Sequence, residues 1–318
     1  MATTTSIATT YAGEKAAGYV AAALLSANSI ENGGITVKPN VKFKEVLKRV
    51  STDELLKNGT CDFTATSTLT LDERVLEPET FQVNLQLCKA DFRSDWDAIE
   101  MGYSAFDELP KSFADFLIGH VAAKVAAKTE TNIWAGVDAN EGEFDGFETL
   151  LTTDAALPAA QEVTGVVGGV NAANVVAELG AIVDAIPNRL YGEEGLRIYV
   201  AQNIYRAYVR SLGGFGANGL GAAGVNAQGN NQSFGDLMYD GIPLFMCNGM
   251  TSNIAIATTK DNLYFGTGLM SDMQEVKVLD MSDFDGSQNV RVVMRMTAGV
   301  QYAFTKDIVT YGIVNTAN

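Results

Sequence analysis

The sequence predicts a mixed α+β fold, because three kinds of segment follow one another along the chain. Residues 61–71 and 80–92 alternate apolar and polar side chains with a period of two, which is typical of β-strands. Residues 111–137 instead place apolar side chains at three- and four-residue spacing, which predicts one long amphipathic helix. Residues 164–262 combine helical and buried-strand patterns, and long strands follow to the end. A chain of 318 residues suits two domains or one intertwined unit.

Composition and charge exclude several classes of protein. Apolar residues make up 47% of the chain, which is enough for a sizeable core. The 22 Lys and Arg residues against 38 Asp and Glu residues give a net charge of −16, which argues against a protein whose main surface grips nucleic acid. No apolar run reaches the roughly 18 residues that span a bilayer, so we do not expect a transmembrane protein.

The amino-terminal segment predicts a mobile arm rather than an export signal. A Ser/Thr-rich tail precedes the alanine-rich segment Ala16–Ala27, which is long enough for the apolar core of a signal peptide. However, Glu14 stands beside Lys15 where such signals need a basic cluster. We therefore expect a short alanine-rich helix instead.

Residues 37–57 reverse the sign of an otherwise acidic chain. Before Asp53 this basic stretch has five cations and a single acid, Glu45; the cations are Lys38, Lys42, Lys44, Lys48 and Arg49. Two interpretations stay open: a solvated helix face, or a surface that contacts an acidic neighbour or nucleic acid.

Residues 58–92 predict a long β-hairpin with one polar face. The first strand, 61–71, is rich in Thr, and the charged segment 72–79 with Pro78 is the expected connection. The second strand sets two groups of side chains on opposite faces: Phe81, Val83, Leu85 and Leu87 against Gln82, Asn84 and Gln86. Two strands of about ten residues are marginal alone in water, so the hairpin needs something to lie against.

Residues 93–137 predict two helices. Ser94 and Asp95 offer caps for the first helix. The second follows Pro110, which suits a first helical turn, and runs over Lys111–Val137. An acidic loop punctuated by glycines follows it.

Residues 164–262 predict a compact α/β unit, and residues 263–318 a β-rich ending. The unit contains a helix that ends near Pro187, the buried strand LRIYVA, the helix QNIYRAYVRSL, a glycine-rich loop, and the strands GIPLFMC and NIAIATT. The ending contains the strands EVKVLDM, NVRVVMRMTAGVQYAF and DIVTYGIV.

The residues that carry catalysis are scarce. His120 is the single histidine, and its place in the predicted helix favours a partly buried structural role over base catalysis or zinc binding. Gly214–Gly219 matches G-x-G-x-x-G but follows a helix rather than a strand, so we interpret it as a loop. The acidic loop fails the calcium-hand spacing, because counting from Asp138 places Gly142 at position 5 and Glu143 at position 6. We therefore predict no active site, no metal and no cofactor.

The cysteines do not indicate a metal site or a complete set of disulfides. Cys61, Cys88 and Cys247 lack paired spacing, and their number is odd. Cys61 and Cys88 lie in strand-like segments, so pairing between them stays open, although reduced thiols are favoured.

Four segments and their order along the chain match elements of one known family. Tyr239–Met250 (YDGIPLFMCNGM) is similar to a G-x-P-V turn-and-strand element, with Leu244 in place of Val. Asp261–Asp280 is similar to a strand that returns to a peripheral domain, and Asn289–Gly312 to a closing β pair. Asn132–Phe147 is similar to the junction after a spine helix. In these segments, and over most of its length, the chain resembles the major capsid proteins of tailed bacteriophages.

This resemblance implies a phage major-capsid-type fold. Its parts in chain order are the N-terminal arm (1–57), the extended β-hairpin loop (58–92), the peripheral domain (93–163, with the spine helix at 111–137), the axial domain (164–262) and the return to the peripheral β-sheet (263–318). The extended loop would lie over a neighbouring subunit, and the loop Gly213–Gln232 would point toward the symmetry axis of a capsomer.

The same resemblance implies a structural protein that is not an enzyme. It would assemble with itself into the pentamers and hexamers of an icosahedral shell, which encloses viral DNA without sequence-specific binding. Scaffolding, portal and decoration proteins are further implied partners, and the virion, with the host cytoplasm during assembly, is the implied location. The residues expected at contacts between subunits are Lys38, Lys42, Lys44, Lys48, Arg49, Asp72, Glu73, Arg74, Glu77, Glu79, Phe215 and Asn218.

Two other structural roles stay open. An encapsulin-type nanocompartment shares the fold and would differ by its enzyme cargo, and a secreted or surface-layer β-rich protein would suit the acidity and the Thr and Asn content. For a viral shell, the net charge of −16 predicts a lining that does not bind DNA phosphates, so that the genome slides during packaging. The basic run Lys38–Arg49 would then lie against acidic neighbours.

Overall fold

The computed structural model describes residues 28–52, 56–59, 61, 65–66, 68–88, 111–212, 237–268 and 276–317. The helices are α1 (Asn28–Glu31), α2 (Lys111–Ala135), α3 (Phe147–Thr153), α4 (Val175–Asp184), α5 (Gln202–Ser211) and α6 (Ser282–Asp285). The strands are β1 (Thr36–Lys38), β2 (Glu45–Thr52), β3 (Leu69–Leu76), β4 (Glu79–Cys88), β5 (Glu162–Val163), β6 (Leu196–Ala201), β7 (Met238–Tyr239), β8 (Ile242–Cys247), β9 (Ala255–Thr259), β10 (Leu263–Gly266), β11 (Val276–Asp280), β12 (Asn289–Tyr302) and β13 (Val309–Tyr311).

A six-stranded mixed sheet has the order β5-β13-β9-β6-β8-β7. Strand β6 runs parallel to β8 and antiparallel to β9, and β13 runs antiparallel to β9. Strand β6 separates two hydrophobic cores, because successive side chains of a strand point to opposite faces. Ile198 and Val200 pack in a core with helices α4 and α5, whereas Tyr199 and Ala201 point into a second core around Trp134 at the end of α2. This mostly apolar strand, in which Arg197 is the one charged residue, is therefore buried on both faces.

The second sheet is built around β12, which is 14 residues long. Strand β12 pairs antiparallel with β4 from Asn289 opposite Cys88 to Ala298 opposite Glu79, and antiparallel also with β10 and β11. Strand β1 adds to β10 in parallel. Helix α2 lies across one face of this sheet, where Leu117 and Val121 pack on Val292 of β12.

Residues 28–35, which we call the strap, contact both helix α2 and the six-stranded sheet. The backbone N–H and the hydroxyl of Ser29 donate hydrogen bonds of 3.1 and 2.6 Å to the carboxylate of Glu130 on α2, and both residues are fully buried. From the six-stranded sheet, the hydroxyl of Tyr199 donates a 2.5 Å hydrogen bond to the carbonyl oxygen of Gly34. The strap thus ties α2 to the sheet that carries β6.

Strands β2 and β3 form a separate two-stranded antiparallel ribbon, in register from Glu45 opposite Leu76 to Thr52 opposite Leu69. The pairing predicted for a hairpin over 58–92 is wrong, because β3 pairs with β2 and β4 pairs with β12. Alternation identifies a strand but not its partner. Helix α2 packs on the apolar side of β4 at Val83 and Leu87, whereas Leu85 on the same side is 38% exposed.

The charges around the expected connection explain why it is a strand. Most of segment 72–79 belongs to β3, where Glu73 pairs in register with Lys48 and Asp72 pairs with Arg49. At Lys48 and Glu73, whose side chains are described, opposite charges directly across the antiparallel pair stabilise the strands. The interpretation of the basic stretch as a helix face is wrong for the same reason, because Lys48 and Arg49 lie in β2.

Most of the other predicted elements are confirmed. The long helix is α2, and the strand and helix LRIYVA and QNIYRAYVRSL are β6 and α5. The predicted helices at Ala16–Ala27 and in 93–110, and the glycine-rich loop, lie outside the described residues. Strands β5 and β13 come from stretches predicted to be peripheral, yet they lie in the six-stranded sheet.

A candidate intersubunit surface

One face of the ribbon is apolar and exposed, and we call it the ribbon face. Because side chains alternate along each strand, register places the even-numbered residues of β2 on the same face as the odd-numbered residues of β3. The apolar members of this face are exposed to different extents: Val46 41%, Val50 60%, Leu69 63%, Leu71 69% and Val75 38%. Val46 lies opposite Val75, and Val50 opposite Leu71, so the apolar side chains meet in cross-strand pairs.

A single pair of opposite charges interrupts the ribbon face. Lys48 and Glu73 lie directly across from each other between the two apolar pairs, and both are exposed. A two-stranded ribbon with such a face is marginal alone in water, because the apolar area that would stabilise it is not buried. Contiguous exposed apolar side chains are nevertheless typical of a surface that binds another protein.

The root of the ribbon is held firmly by its own chain. Leu47 and Leu76 are buried, and the side chain of Leu76 packs on Gly266, where a Cβ atom would lie 2.9 Å from it. Arg74 points inward: it forms an ion pair with Asp154, donates a 2.5 Å hydrogen bond to the hydroxyl of Thr305, and stacks on an aromatic ring. The ribbon therefore leaves the body of the protein in a defined direction.

Asp154 is the centre of this root. Its carboxylate also accepts hydrogen bonds of 2.6 Å from the Tyr302 hydroxyl, 2.9 Å from the Thr305 hydroxyl and 2.9 Å from the Ala156 N–H. Burial acts to raise the pKa of Asp154, but these hydrogen bonds and the positive charge of Arg74 together lower it below its ordinary value. The carboxylate is consequently ionised at neutral pH and holds Arg74 in place.

Two of the basic residues predicted at contacts between subunits, Lys38 and Lys44, form ion pairs with acidic residues of the same chain. Lys38 forms an ion pair with Glu45 and lies 4.8 Å from the centre of the Tyr264 ring. Lys44 forms a 2.7 Å ion pair with Glu77, and both of these side chains are about half exposed. Acidic residues of the same chain thus neutralise part of the positive charge of the basic stretch.

The remaining residues predicted at contacts between subunits differ in their exposure to solvent. Lys42, Lys48 and Glu73 are exposed, whereas Glu79 is partly buried beside other acids. Burial, together with the charge and a hydrogen bond of Asp138, raises the pKa of Glu79. The side chains of Arg49 and Asp72, and all of Phe215 and Asn218, lie outside the described part.

The described residues show no arrangement typical of catalysis. His120 is half-buried on α2, and no group of three or more His, Cys, Asp or Glu side chains in the described ranges is arranged to hold a metal ion. Cys61 is exposed, Cys88 half-buried and Cys247 buried, and all three are free thiols. No described helix has the length and apolarity needed to cross a membrane.

Sequence reasoning missed the ribbon face. Val46 and Val50 stand inside the basic stretch, so the charges of that stretch drew the interpretation toward electrostatic contacts. Val46 and Val50 are four residues apart with Lys48 between them, a spacing that fits one face of a helix as well as one face of a strand. Only the register with β3 shows that Leu69 and Leu71 extend the same face.

No protein-family model matches the chain, and no curated protein matches it. Solved structures do match. The capsid of a native GTA particle computed with C5 symmetry matches with a TM-score of 0.61 at 16% identity, over 92% of both chains. A structure of Mycobacterium phage Adephagia matches with a TM-score of 0.57 at 14% identity, over 92% of this chain and 93% of the other. The capsid structure of the cyanophage P-SCSP1u matches with a TM-score of 0.56 at 13% identity, over 97% and 93%.

These matches extend over nearly the whole chain and include both sheets. The chain therefore has the major capsid protein fold of tailed phages, and the predicted α+β fold of that type is confirmed.

Proposed function

We propose that the chain is the structural major capsid protein of a virus, which assembles with itself into the pentamers and hexamers of an icosahedral shell around DNA. The observation that carries this proposal is the ribbon face, an exposed apolar surface on an arm of a chain with a capsid fold. Burying that face on a second copy would supply the stabilisation that an isolated two-stranded ribbon lacks.

The parts of the chain then have separate roles. The N-terminal arm would precede an extended loop that comprises the ribbon, residues 45–76. Helix α2 and the sheet around β12 would form the peripheral domain, and the stretch 164–262 most of the axial domain. Repeating one set of contacts between identical subunits closes a shell.

The charge of the chain supports the enclosure of DNA rather than its recognition. A net charge of −16 opposes tight binding to phosphates, so a packaged genome would move freely against the lining. The shell would be part of the virion and would form in the host cytoplasm, with scaffolding, portal and decoration proteins as further partners. No catalytic step is assigned to the chain.

Electron microscopy of the purified full-length chain tests the proposal. We expect uniform hollow shells, or flat sheets of hexamers, once the concentration and salt favour association. A chain that stays monomeric at high concentration over a range of salts contradicts the proposal. Shells that carry enzyme cargo instead of genomic DNA when isolated from their natural source would identify a nanocompartment.

A further inference from the structure

The sheet of β4, β11 and β12 has one face packed on α2 and an opposite face that is open, which we call the outer face. Register places Asn84 and Lys277 on either side of Val293, and alternation puts their neighbours two residues away on the same side. The outer face comprises Gln82, Asn84 and Gln86 of β4, Lys277 and Leu279 of β11, and Arg291, Val293 and Arg295 of β12.

The outer face is basic in an acidic chain. Lys277, Arg291 and Arg295 are all exposed, and so are the three amide side chains beside them. The Nε of Arg291 donates a 3.1 Å hydrogen bond to the Oε1 of Gln86. Alternation places the acids of these strands, Glu79 and Asp280, on the other face, so the strands themselves add no carboxylate to the outer face, although Asp285 interacts electrostatically with Arg291. Cations and amides arranged in this way suit an acidic partner.

A matching acidic surface lies on the same chain, in the loop 138–145. Asp138 and Glu141 are exposed, and Asp145 accepts a 2.9 Å hydrogen bond from the backbone N–H of Asp138. Burial, together with the carboxylates of Asp138, Asp145 and Glu77, raises the pKa of Glu79, so these acids lie near one another, whereas Glu143 of the same loop forms an ion pair with Lys128. We call residues 138–145 the acidic loop.

The two surfaces of one subunit are separated along β4. The acidic loop meets the start of β4 at Glu79, whereas the outer face is centred on Asn84, five residues further on. At about 3.3 Å per residue, this separation is roughly 17 Å. Arg295, which lies opposite Gln82, is three residues and roughly 10 Å along the strand from Glu79. Complementary surfaces that lie apart on one subunit can meet between successive subunits, and a head-to-tail contact of this kind closes rings.

We propose that the outer face of one copy binds the acidic loop of a second copy, head to tail, as a charge-complementary contact within a capsomer. This inference rests on the proposed function. The ribbon face is a poorer occupant of the outer face, because its apolar side chains offer no acceptor to the cations of that face. Nucleic acid is a different partner, which the experiment below distinguishes.

Charge reversal in the full-length chain tests the contact. One variant carries Arg291→Glu and Arg295→Glu, a second carries Asp138→Lys and Glu141→Lys, and a third combines all four changes. We expect each of the first two to raise the protein concentration needed for assembly about tenfold, because an attraction between exposed charges is replaced by a repulsion. The combined variant restores attraction with the signs exchanged, so its assembly returns to within about threefold of the original.

Controls separate the contact from folding and from the proposed function. The variant with Arg291→Lys and Arg295→Lys keeps both charges and should assemble as the original does, and thermal unfolding of each variant monitors the fold. Assembly of both reversed variants at an unchanged concentration overturns the contact while leaving the shell proposal intact. DNA binding that is lost on Arg291→Glu and Arg295→Glu, with assembly unaltered, assigns the outer face to nucleic acid instead. An original chain that never assembles refutes the shell proposal itself.

Discussion

The guanidinium carbon of Arg74 lies 4.4 Å from the centroid of the Tyr302 ring, and both side chains bind the same carboxylate, that of Asp154. Arg74 belongs to the ribbon, whereas Tyr302 ends the long strand β12. The stacking and the shared carboxylate thus connect the exposed arm of the molecule to the end of its central strand. The direction of the arm depends on a few polar contacts at its root.

Arg74→Ala tests that dependence. We expect a loss of about 1–3 kcal/mol in the free energy of unfolding, because Asp154 would remain partly buried without its cation. Denaturant unfolding of the unassembled chain measures this change, and electron microscopy should show irregular or mis-sized particles. As a matched control, Arg189→Ala removes the exposed partner of Asp307, which forms a 2.6 Å ion pair, and should change stability by about 1 kcal/mol or less. Equal losses in the two variants would contradict a special role for Arg74.

Polar substitution of the ribbon face should separate folding from assembly. In the double variant Val50→Thr and Leu71→Thr, both strands keep β-favouring residues while the central apolar pair is lost. We expect a change in unfolding free energy of about 0.5 kcal/mol or less, typical of surface substitutions, together with failure to form shells. Light scattering follows assembly and circular dichroism follows the fold. Val167→Thr, at a side chain that is 98% exposed elsewhere, is the control and should assemble normally.

A shortened ribbon tests the same surface in another way. Replacing residues 49–72 with Asn-Gly would join Lys48 to Glu73, which already lie opposite each other, by a two-residue hairpin turn. Leu47, Arg74 and Leu76 would keep the root intact. We expect a folded, soluble chain that does not assemble, detected by size-exclusion chromatography. Global unfolding of this variant would mean that the ribbon belongs to the core.

The buried carboxyl of Glu130 should make stability depend on pH. Burial raises the pKa of Glu130, although hydrogen bonds from Ser29 and its other neighbours partly lower it. An acid with a raised pKa in the folded state contributes its full stability below the pKa of the unfolded chain. That contribution is lost as the pH rises through the folded pKa. Burial of Glu130 thus favours the folded chain in mild acid, whereas the hydrogen bonds that Ser29 of the strap donates favour the ionised carboxylate.

Glu130→Gln removes this titration while keeping an acceptor for Ser29. Relative to the original chain, the variant should therefore gain stability as the pH rises from about 4 to 7, because the cost of ionising a buried carboxyl disappears. Urea denaturation at several pH values measures the difference. Glu148 has a raised pKa too, but it is present in both chains and its effect cancels. Glu141→Gln, at an exposed acid, is the control, and a pH-independent difference for Glu130→Gln would refute the prediction.

Alanine substitution at two glycines should change the stability of the folded chain in opposite directions. A Cβ atom at Gly249 would come closer to the carbonyl oxygen of Glu130 than real Cβ atoms approach, and neither backbone yields easily. Gly249→Ala should therefore destabilise the chain by about 1–3 kcal/mol, as overpacking does. Gly119 lies on α2 with nothing within 4 Å of a Cβ, so Gly119→Ala should stabilise the chain by about 0.5–1 kcal/mol. Thermal unfolding of both variants measures the contrast.

Local patterns in the sequence were sufficient for most elements. Strand β6 and helix α5 follow from the change of period after LRIYVA, and α2 follows from Pro110 and the long helical stretch. Pairing was harder, because β2 and β3 are separated by 16 residues and their register depends on contacts that no local pattern contains. The alternation in β4 was interpreted correctly, but its partner β12 lies some 200 residues away.

The ribbon face was harder to predict from the sequence than the strands that carry it. The charges at Lys48 and Glu73 were visible, whereas the apolar face around them emerged only when two strands were placed side by side. Arg74 was expected to contact another subunit, yet its partners lie in its own chain, because Asp154 and Tyr302 come together only in the folded tertiary structure. A charged residue in a polar segment gives no sign of whether it points inward or outward.

The root of the ribbon has a consequence for the order of events during synthesis. Arg74 leaves the ribosome early, but its hydrogen-bond partner Thr305 is 231 residues further on. Glu130, the hydrogen-bond partner of Ser29, follows it by 101 residues, and Met246, the partner of Asn28, follows it by 218 residues. Asp154 follows Arg74 by 80 residues, but Tyr302 and Thr305, which complete the root of the ribbon, are added only shortly before the last strand. Under the proposed function, an unfinished subunit would therefore lack part of the root that orients its ribbon toward a neighbouring copy.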